Sequence, residues 1–233
     1  MTPLHRLART RPRTALAQHY AQARRPAGGT PWRQASWCAV DLELSGLDPD
    51  RHEIIAYGAV PIRDGRVLIR GAVAGLARPT RPLTESSIRI HGIRAADLAD
   101  APRLAEALEP LLAAMTGHIL VAHSAGVERG FLGPALRAQG LRLRGPVVDT
   151  AVLGRLWLHE RDGRAPSHLA LGDLADALGL PAERPHAALS DALTTAQSFV
   201  ALASHLNAIR PETVRSLTGA ESRLQSVLSY LGR

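Results

Sequence analysis

The stretch WCAVDLELSGL, residues 37–47, decides how the rest of the chain is interpreted. Apolar residues dominate it and the run stops at Ser45 and Gly46, which predicts a buried strand followed by a turn. Because side chains alternate between the two faces of a strand, Asp41 and Glu43 point to the same side, about 7 Å apart along the strand. The pattern therefore places two negative charges together at the end of an otherwise apolar element.

Two carboxylates at the end of an apolar strand are unfavourable unless a positive charge lies between them. Magnesium or manganese would supply that charge, since both ions prefer hard oxygen ligands. The alternative is an edge strand whose acidic side faces water, as in most Asp-x-Glu triplets. This stretch alone leaves both interpretations open, and residues further along the chain decide between them.

Length and composition indicate a soluble globular protein. The chain has 233 residues, of which 45% are hydrophobic and 21% charged, enough for one sizeable core with extensions or for two small domains. No apolar run approaches the roughly 18 residues of a membrane span, and no signal-peptide core follows the basic N-terminus. We therefore expect a cytoplasmic location and no membrane contact.

The charge balance favours a polyanionic partner such as nucleic acid. The net charge is +7 and all 28 basic residues are arginine, although a biased nucleotide composition also produces arginine-rich chains. Aromatic residues make up only 3%, which argues against a long stacking platform and favours contact with a few nucleotides. The single cysteine, Cys38, excludes an internal disulfide and a thiolate zinc site, and we expect a small core residue there.

Three segments are expected along the chain. Residues 1–35 are expected to form a basic N-terminal extension and linker, with a helix from Thr14 to Ala23. This segment is either a solvated extension or an arm that touches phosphates, and the sequence leaves both interpretations open. Residues 36–206 form the main domain. Residues 207–233 form a helical C-terminal extension, with one amphipathic helix from Arg210 that packs on the domain or on a partner.

The main domain is expected to alternate strands and helices after an initial hairpin at Asp64-Gly65. This arrangement predicts a mixed sheet covered by helices, with ligands at the carboxyl ends of the strands. The expected elements after the first strand are two strands (Glu53–Ile62 and Arg66–Val73), a loop (Ile88–Ile93), a helix (Pro102–Met115), a strand (His118–His123), a helix (Val127–Gln139), a strand (Val147–Asp149), a helix (Thr150–Leu158), a loop (159–166) and two helices (Leu169–Leu178 and Ala188–His205).

Acidic residues later in the chain could join Asp41 and Glu43 in one site. Glu128 follows a buried strand at the start of a helix, and Asp149 closes the next strand. His186 and Asp191 bracket a junction between a loop and a long helix. Their spacing lets the histidine stand on the loop while the aspartate sits in the first helical turn, so a proton acceptor comes to lie beside a metal-held carboxylate.

Taken in order, these motifs resemble those of the DEDDh 3′–5′ exonucleases, a family that includes the proofreading subunit of bacterial replicative DNA polymerase, ribonuclease T and oligoribonuclease. The resemblance covers about residues 36–206. It implies a ribonuclease H-like fold, with a mixed five-stranded sheet flanked by helices. The first motif alone is a weak signal, but the ordered set with His-x4-Asp before a C-terminal helix is specific. The segments that carry the resemblance are DLELSGL (41–47), EIIAYGAV (53–60), IHGI (90–93), HSAGVERGFL (123–132) and HAALSD (186–191).

The resemblance implies a site with two divalent cations, Mg²⁺ or Mn²⁺, held by four carboxylates. Asp41 would bridge the two ions, Glu43 and Asp191 would hold the ion that carries the attacking water, and Glu128 would hold the ion that faces the leaving group. His186 would take the proton of the water, since an imidazole titrates near neutral pH. Two such ions would activate the water and stabilise the charge on both oxygens of the reacting phosphodiester.

Further residues have supporting roles by the same resemblance. The backbone of residues 44–47 would reach the 3′-terminal nucleotide, with a leucine wedged against its base; the alternative is a simple strand-ending turn. His91 would lie over that nucleotide or belong to a mere turn. Asp149 is expected to support the site or to cap a helix, and His123 to be a buried structural histidine. The turn residues concerned are Leu44, Ser45, Gly46 and Leu47.

The second motif departs from the family pattern. The family normally has aspartate at the position of Glu128, an aromatic residue before it, and asparagine at the position of Ser124. Glutamate keeps the charge but adds about 1.5 Å of reach, in a type of site that tolerates an error of only ~0.5 Å. Both an active enzyme and reduced catalysis therefore remain open.

Three functional hypotheses follow. The first is a metal-dependent 3′–5′ exonuclease that acts on single-stranded DNA or short oligonucleotides, with a DNA polymerase subunit as a further candidate partner. The second is a catalytically weak nucleic-acid-binding or polymerase-accessory module that keeps the exonuclease fold. The third is a hydrolase of small nucleotide-like phosphodiesters. The residues do not distinguish DNA from RNA, because that choice depends on contacts to the sugar.

Overall fold

The computed structural model describes residues 14–181 and 186–231. The strands in this part of the chain are β1 (Trp37–Leu44), β2 (Ile54–Arg63), β3 (Arg66–Val67), β4 (Val73–Leu76), β5 (Ile119–Ala122) and β6 (Val147–Asp149). Its α-helices are α1 (Ala15–Gln22), α2 (Glu85–His91), α3 (Leu104–Met115), α4 (Gly126–Ala138), α5 (Thr150–Asp162), α6 (Leu171–Ala177), α7 (Ala188–Ile209), α8 (Val214–Thr218) and α9 (Ala220–Leu231).

The strands form one mixed sheet in the order β3-β2-β1-β5-β6, with β4 also paired to β2. β1 is antiparallel to β2 and parallel to β5, and β6 continues the parallel part. The turn at Asp64-Gly65 has φ angles of 52° and 67°, the left-handed backbone of a tight hairpin. The expected mixed sheet covered by helices is confirmed.

The third expected strand is broken in two, so the sheet has six strands among the described residues rather than five. Between β3 and β4 the chain makes a 3₁₀ turn at Ile69–Gly71. Opposite this turn lies Pro61 of β2, whose carbonyl oxygen accepts a hydrogen bond from Leu68 but which has no N–H to return. The missing donor interrupts the ladder at this edge.

Alternate residues of β1 enter two separate cores, as the strand pattern requires. Trp37 and Ala39 face the core built with α5 and α7, whereas Val40 and Leu42 face the core built with α3 and α4. Cys38 is fully buried on the second face, and burial raises the pKa of its thiol to about 12. Asp41 and Glu43 continue the first face, which directs both carboxylates towards α7.

The segments on both sides of the main domain pack into these cores. Helix α1 buries Ala17 and Tyr20 in the core with α3. Trp32 lies edge-on to Phe199 of α7, with ring centroids 6.2 Å apart. The proposed boundaries of the three segments stay a prediction, and the part of the basic extension before residue 14 lies outside the described residues.

The expected single C-terminal helix is instead two helices, α8 and α9, which meet at Gly219. Val214, Leu217 and Leu224 are buried in the core beneath α5 and α7. An added Cβ at Gly219 would lie 3.1 Å from the carbonyl oxygen of Arg215. The close contact accounts for a glycine at the point where the chain changes direction.

Two expected loops are helical. The segment Ile88–Ile93 belongs mainly to α2, because Thr84 caps its N-terminus by accepting from the amide of Ser87 and Gly92 ends it with φ 73°. Helix α5 continues into the expected loop 159–166 until Gly163, which has φ 69°. Among the described residues no helix, including the 22-residue α7, is long and apolar enough to cross a membrane.

A buried carboxylate joins the C-terminal helices to the rest of the protein. Glu212 is 1% exposed and accepts from Arg223 Nη1 at 2.8 Å and from Arg210 Nε at 3.3 Å. Its other oxygen accepts from the hydroxyl of Ser216, and its main-chain oxygen accepts from the amide of Trp32. The N-terminal segment, α8 and α9 are therefore held by one residue.

We expect Glu212→Gln to lower the free energy of unfolding by about 3 kcal/mol, because it removes the fully buried countercharge of Arg223. The matched control is Glu160→Gln, which removes the more exposed partner of Arg223, 3.4 Å away, and should cost less than about 1 kcal/mol. Urea unfolding followed by circular dichroism measures both variants. Equal losses in the two variants would contradict this account of Glu212.

Candidate active site

Four carboxylates come from the ends of different elements to one edge of the sheet. Asp41 and Glu43 lie near the carboxyl end of β1, while Glu128 stands in the first turn of α4, just after β5. Asp191 stands in the first turn of α7. Because β1 and β5 are parallel, their carboxyl ends meet, and α7 returns over the same edge.

Three of these residues form a tight group. One carboxylate oxygen each from Asp41, Glu43 and Asp191 lies within 4.8 Å of the others. Glu128 is outside this group but close to Asp41, whose pKa it helps to raise by its negative charge. Glu43 and Glu128 are 7% and 5% exposed, so both carboxylates are largely removed from solvent.

Burial and mutual repulsion favour the protonated form of these acids. The pKa of Asp41 lies well above its usual range because of burial and the charges of the other three carboxylates. Burial raises the pKa of Glu43 to about 7, with a further contribution from Asp191, and raises that of Glu128 to about 8. The site is therefore electrostatically unfavourable when all four groups are ionised without a cation.

The donor set fits a divalent metal ion. Among the described residues, Glu43 Oε1 and Glu128 Oε2 are buried and have no hydrogen-bond partner. A buried carboxylate oxygen without a partner is costly in a folded protein. Hard oxygen ligands from several carboxylates are the set that Mg²⁺ and Mn²⁺ prefer. The unsatisfied oxygens therefore belong to a site that a cation would complete.

His186 lies at the exposed rim of the carboxylate group. Its backbone has φ 60°, and its main-chain N–H donates to Asp191 Oδ2 at 2.8 Å. Burial raises the pKa of Asp191, while this hydrogen bond and the charge of His186 lower it. The residue is exposed, and its ring is outside the three-residue group.

The turn after β1 has one exposed apolar residue. Leu47 is 78% exposed, whereas Leu44, Ser45 and Gly46 are buried. The amide of Ser45 donates to the carbonyl of Glu53 at 2.9 Å. This amide is therefore not free to bind a ligand, although the resemblance implied that it would reach the terminal nucleotide. Only the part of the turn beyond Gly46 faces outward.

Ser45 also places α2 above the end of β1. Its carbonyl accepts from the amide of Thr84, the residue that caps α2. His91 closes this helix, and burial together with the charge of His186 lowers the pKa of its ring. The Nε2 atom of His91 is buried without a partner among the described residues. The two imidazoles therefore lie on the same side of the site.

Asp149 and His123 make structural contacts beside the acids. Asp149 accepts from the amides of Ser124, Ala125 and Ala151 at 3.1, 2.8 and 2.9 Å. His123 contacts Thr150 Oγ1 through Nδ1 and the carbonyl of Leu169 through Nε2, at 3.0 and 2.9 Å. Neither residue belongs to the three-residue carboxylate group, and their supporting roles stay a prediction.

The sequence reasoning missed Gly58, which faces Asp41 across β1 and β2. A Cβ added at this position would lie 2.5 Å from the Cα of Leu189 and closer still to the carbonyl of Ala188. Both are backbone atoms at the start of α7, so the absence of a side chain lets α7 approach the sheet. A glycine inside a strand is a known signal of such an approach and could have been found.

Comparison with known proteins identifies the family. The family described as "Exonuclease", RNase_T, matches residues 38–199, more than half of the 233 residues. The chain belongs to this exonuclease family. The matched span contains all four carboxylates and His186, and the predicted membership of an exonuclease family is confirmed.

Two relatives of the chain are described as DNA polymerase III proteins. The chain is 34% identical over 182 residues to a DNA polymerase III subunit epsilon-like protein of Rhodobacter capsulatus, covering 77% of this chain and 25% of that protein. It is 33% identical over 170 residues to a PolC-type DNA polymerase III of Thermotoga petrophila, covering 72% and 12% respectively. The chain thus spans a quarter or less of the length of these relatives.

A solved structure shows the same fold. The nuclease domain of 3′hExo, a DEDDh family member solved with bound rAMP, superposes with a TM-score of 0.61 at 17% identity. The match covers 79% of this chain and 98% of that domain. The ribonuclease H-like fold expected for an exonuclease of this family is therefore confirmed.

We expect Gly58→Ala to weaken metal binding by the exonuclease domain by about tenfold or more, because the new Cβ pushes the start of α7, and with it Asp191, away from Asp41. Mn²⁺ titration followed by calorimetry measures the affinity. The control is Gly172→Ala in α6, where a Cβ would meet nothing within 4 Å. Wild-type affinity in the Gly58 variant would show that α7 needs no such close approach.

The raised carboxyl pKa values also predict the pH dependence of stability. Without metal, the folded domain binds more protons than the unfolded chain between about pH 5 and 8, because the pKa of Glu43 is about 7 and that of Glu128 about 8. Stability is therefore greatest below the unfolded carboxyl pKa and is lost as the pH rises through the folded values.

In EDTA, we expect the melting temperature to fall by about 5 °C or more between pH 5 and 8.5. Millimolar Mg²⁺ should remove most of the decrease, because the cation neutralises the ionised group. Glu128→Gln should flatten the EDTA curve, whereas Glu109→Gln on the exposed side of α3 should leave its slope unchanged. A melting temperature that rises with pH in EDTA would contradict the assigned electrostatics.

Proposed function

We propose that this chain is a metal-dependent 3′–5′ exonuclease that releases nucleotides from the 3′ end of single-stranded DNA or short oligonucleotides. The observation that carries the proposal is the group formed by Asp41, Glu43 and Asp191, with ligand oxygens within 4.8 Å of one another and Glu128 beside it. This group lies in a domain of the exonuclease family. Acidic groups of this kind are a common basis of phosphodiester hydrolysis.

The residues of the site divide into two sets of ligands that share Asp41. Asp41, Glu43 and Asp191 would hold one cation, and Asp41 with Glu128 would hold a second. Bound Mg²⁺ or Mn²⁺ supplies positive charge that activates water and stabilises negative charge on the attacking and leaving oxygens. The buried, unpartnered oxygens of Glu43 and Glu128 support this assignment.

His186 is the proposed general base. Hydrolysis forms a bond between the water oxygen and phosphorus, breaks the bond to the O3′ of the preceding nucleotide, and sends the proton of the water to the imidazole. The exposed position of His186 next to Asp191 suits this role, because the ring can meet a substrate at the open side. Its main-chain N–H meanwhile orients the carboxylate of Asp191.

Exposed apolar residues beside the site suit an unpaired 3′ end. Leu47, Ile90 and Leu189 are 78%, 53% and 41% exposed, and each lies on a segment that also carries a proposed site residue. Leucine and isoleucine side chains pack against the faces of bases without choosing a sequence. The net charge of +7 favours attraction of the phosphate backbone. We propose that these residues, with His91, contact the terminal nucleotides.

A second candidate function is a catalytically weak accessory module of a DNA polymerase. Glu128, in place of the usual aspartate, favours it, because the longer side chain alters one of the four ligand positions. The similarity to polymerase III proteins supports a polymerase subunit as a partner. This candidate predicts nucleic-acid or polymerase binding without release of nucleotides.

The two candidates are separated by digestion of a 5′-labelled oligonucleotide in Mg²⁺ or Mn²⁺. We expect stepwise shortening with the label retained, and none in EDTA. Asp41→Asn should lower the rate by about 10³-fold through loss of cation charge, and His186→Gln by about 10²-fold or more through loss of the base. Parallel DNA and RNA substrates establish the sugar preference.

The matched controls are Asp173→Asn in α6 and His19→Gln in α1, both exposed and outside the site, which should keep the wild-type rate. An unchanged rate in Asp41→Asn would assign the hydrolysis to a contaminant or to another site. Binding of the oligonucleotide without shortening, in both metals, would favour the accessory module.

A further inference from the structure

The helix that carries Glu128 has no N-terminal cap of its own. Helix α4 begins at Gly126, and the residue before it, Ala125, has no side-chain group to accept from the free amides of the first turn. The first turns of helices normally satisfy these amides with a side chain close in sequence. Glu128 is only the third residue of α4, so any shift of this turn moves its carboxylate directly.

The turn immediately before α4 is held instead by a residue of a neighbouring strand. Asp149, the last residue of β6, accepts from the amides of Ser124 and Ala125 with two different carboxylate oxygens, at 3.1 and 2.8 Å. The oxygen that binds Ser124 also accepts from the amide of Ala151 at 2.9 Å and so caps α5. One carboxylate thus fixes the starts of two helices at once.

The turn that Asp149 holds is strained. Ser124 has φ 59°, in the left-handed region that side chains other than glycine, asparagine and aspartate rarely adopt. Such a conformation persists only where the surrounding structure enforces it. Asp149 binds the amides on both sides of the Ser124 Cα, which is the arrangement needed to enforce it.

Asp149 is itself held in place. Thr150, the next residue, is fully buried and contacts the carbonyl of Ala122 at 3.3 Å and the Nδ1 atom of His123 at 3.0 Å. His123 is anchored at its other nitrogen by the carbonyl of Leu169. The residues on both sides of the strained turn therefore belong to one rigid hydrogen-bonded group.

We propose that Asp149 is a positioning residue, which sets the place of Glu128 towards Asp41 by holding Ser124 in its left-handed turn. The inference rests on the proposed function, in which Glu128 is a metal ligand. Because Glu128 has one methylene more than the aspartate usual in this family, its carboxylate can meet a cation only if α4 begins at a matching distance. Asp149 fixes that distance.

The test compares Mn²⁺ binding in Asp149→Asn and Asp149→Ser. Asparagine keeps the size but has only one acceptor oxygen; serine keeps a cap for α5 but cannot reach both amides of the turn. We expect the Mn²⁺ concentration that gives half of the rise in melting temperature to increase about tenfold or more in both variants. The control is Asp97→Asn, an exposed carboxylate that accepts from the amide of Arg94 at 2.7 Å and should leave Mn²⁺ binding unchanged.

A second substitution tests the route through the turn. Ser124→Gly removes the side chain that disfavours the left-handed backbone, so it should restore most of the Mn²⁺ affinity to Asp149→Asn. In digestion assays, Asp149→Asn should lower kcat with little change in KM for the oligonucleotide. A role limited to capping α5 would instead lower stability, with Mn²⁺ affinity and kcat kept.

Wild-type Mn²⁺ affinity in Asp149→Asn or Asp149→Ser overturns the proposal, as does a failure of Ser124→Gly to restore binding. The Mn²⁺ measurement needs no nuclease activity. If the wild-type protein shortens no oligonucleotide, the proposed function fails, while the comparison of Mn²⁺ affinities still decides the role of Asp149.

Discussion

Electrostatic repulsion between four carboxylates in a shielded cleft is the constraint on which this structure depends. The chain has 28 arginines, yet every ion pair in residues 14–181 and 186–231 uses other acidic residues. Within the described residues, no arginine forms an ion pair with Asp41, Glu43, Glu128 or Asp191. A group of acids without an arginine partner in this part of the chain is suited to receive a cation from solution.

The fold holds these acids together through the backbone more than through side chains. Gly58 lets the start of α7 come close to the sheet, which brings Asp191 to Asp41. Asp149 holds the turn before α4, which brings Glu128 to the same place. Asp191 is held further by the main-chain N–H of His186, which donates to its carboxylate. Repulsion between the acids raises the free energy of the folded state, and packing and hydrogen bonds elsewhere, such as the core around β1, offset it.

Local sequence predicted those parts of the fold whose signals are local. The alternation along β1 placed Asp41 and Glu43 on one face, and the Asp64-Gly65 pair marked the hairpin. The resemblance of the ordered motifs supplied Glu128 and Asp191. Helix α2 was missed because the β-branched residues Ile88 and Ile90 have low helix propensity. In the structure, the caps at the two ends of α2 outweigh that low propensity. The broken third strand was missed because its cause, Pro61, lies on the neighbouring strand.

A glycine inside a strand indicates a close backbone approach, but the local sequence around Gly58 or Asp149 does not show which distant segment each one contacts. Gly58 acts on α7, about 130 residues later, and Asp149 acts on a turn that precedes it by 24 residues. The same reasoning changes the meaning of Glu128. By its sequence, the side chain of Glu128 is one methylene longer than the usual aspartate. In the structure, the distance from its carboxylate to Asp41 also depends on where α4 begins, and Asp149 holds the turn immediately before that helix.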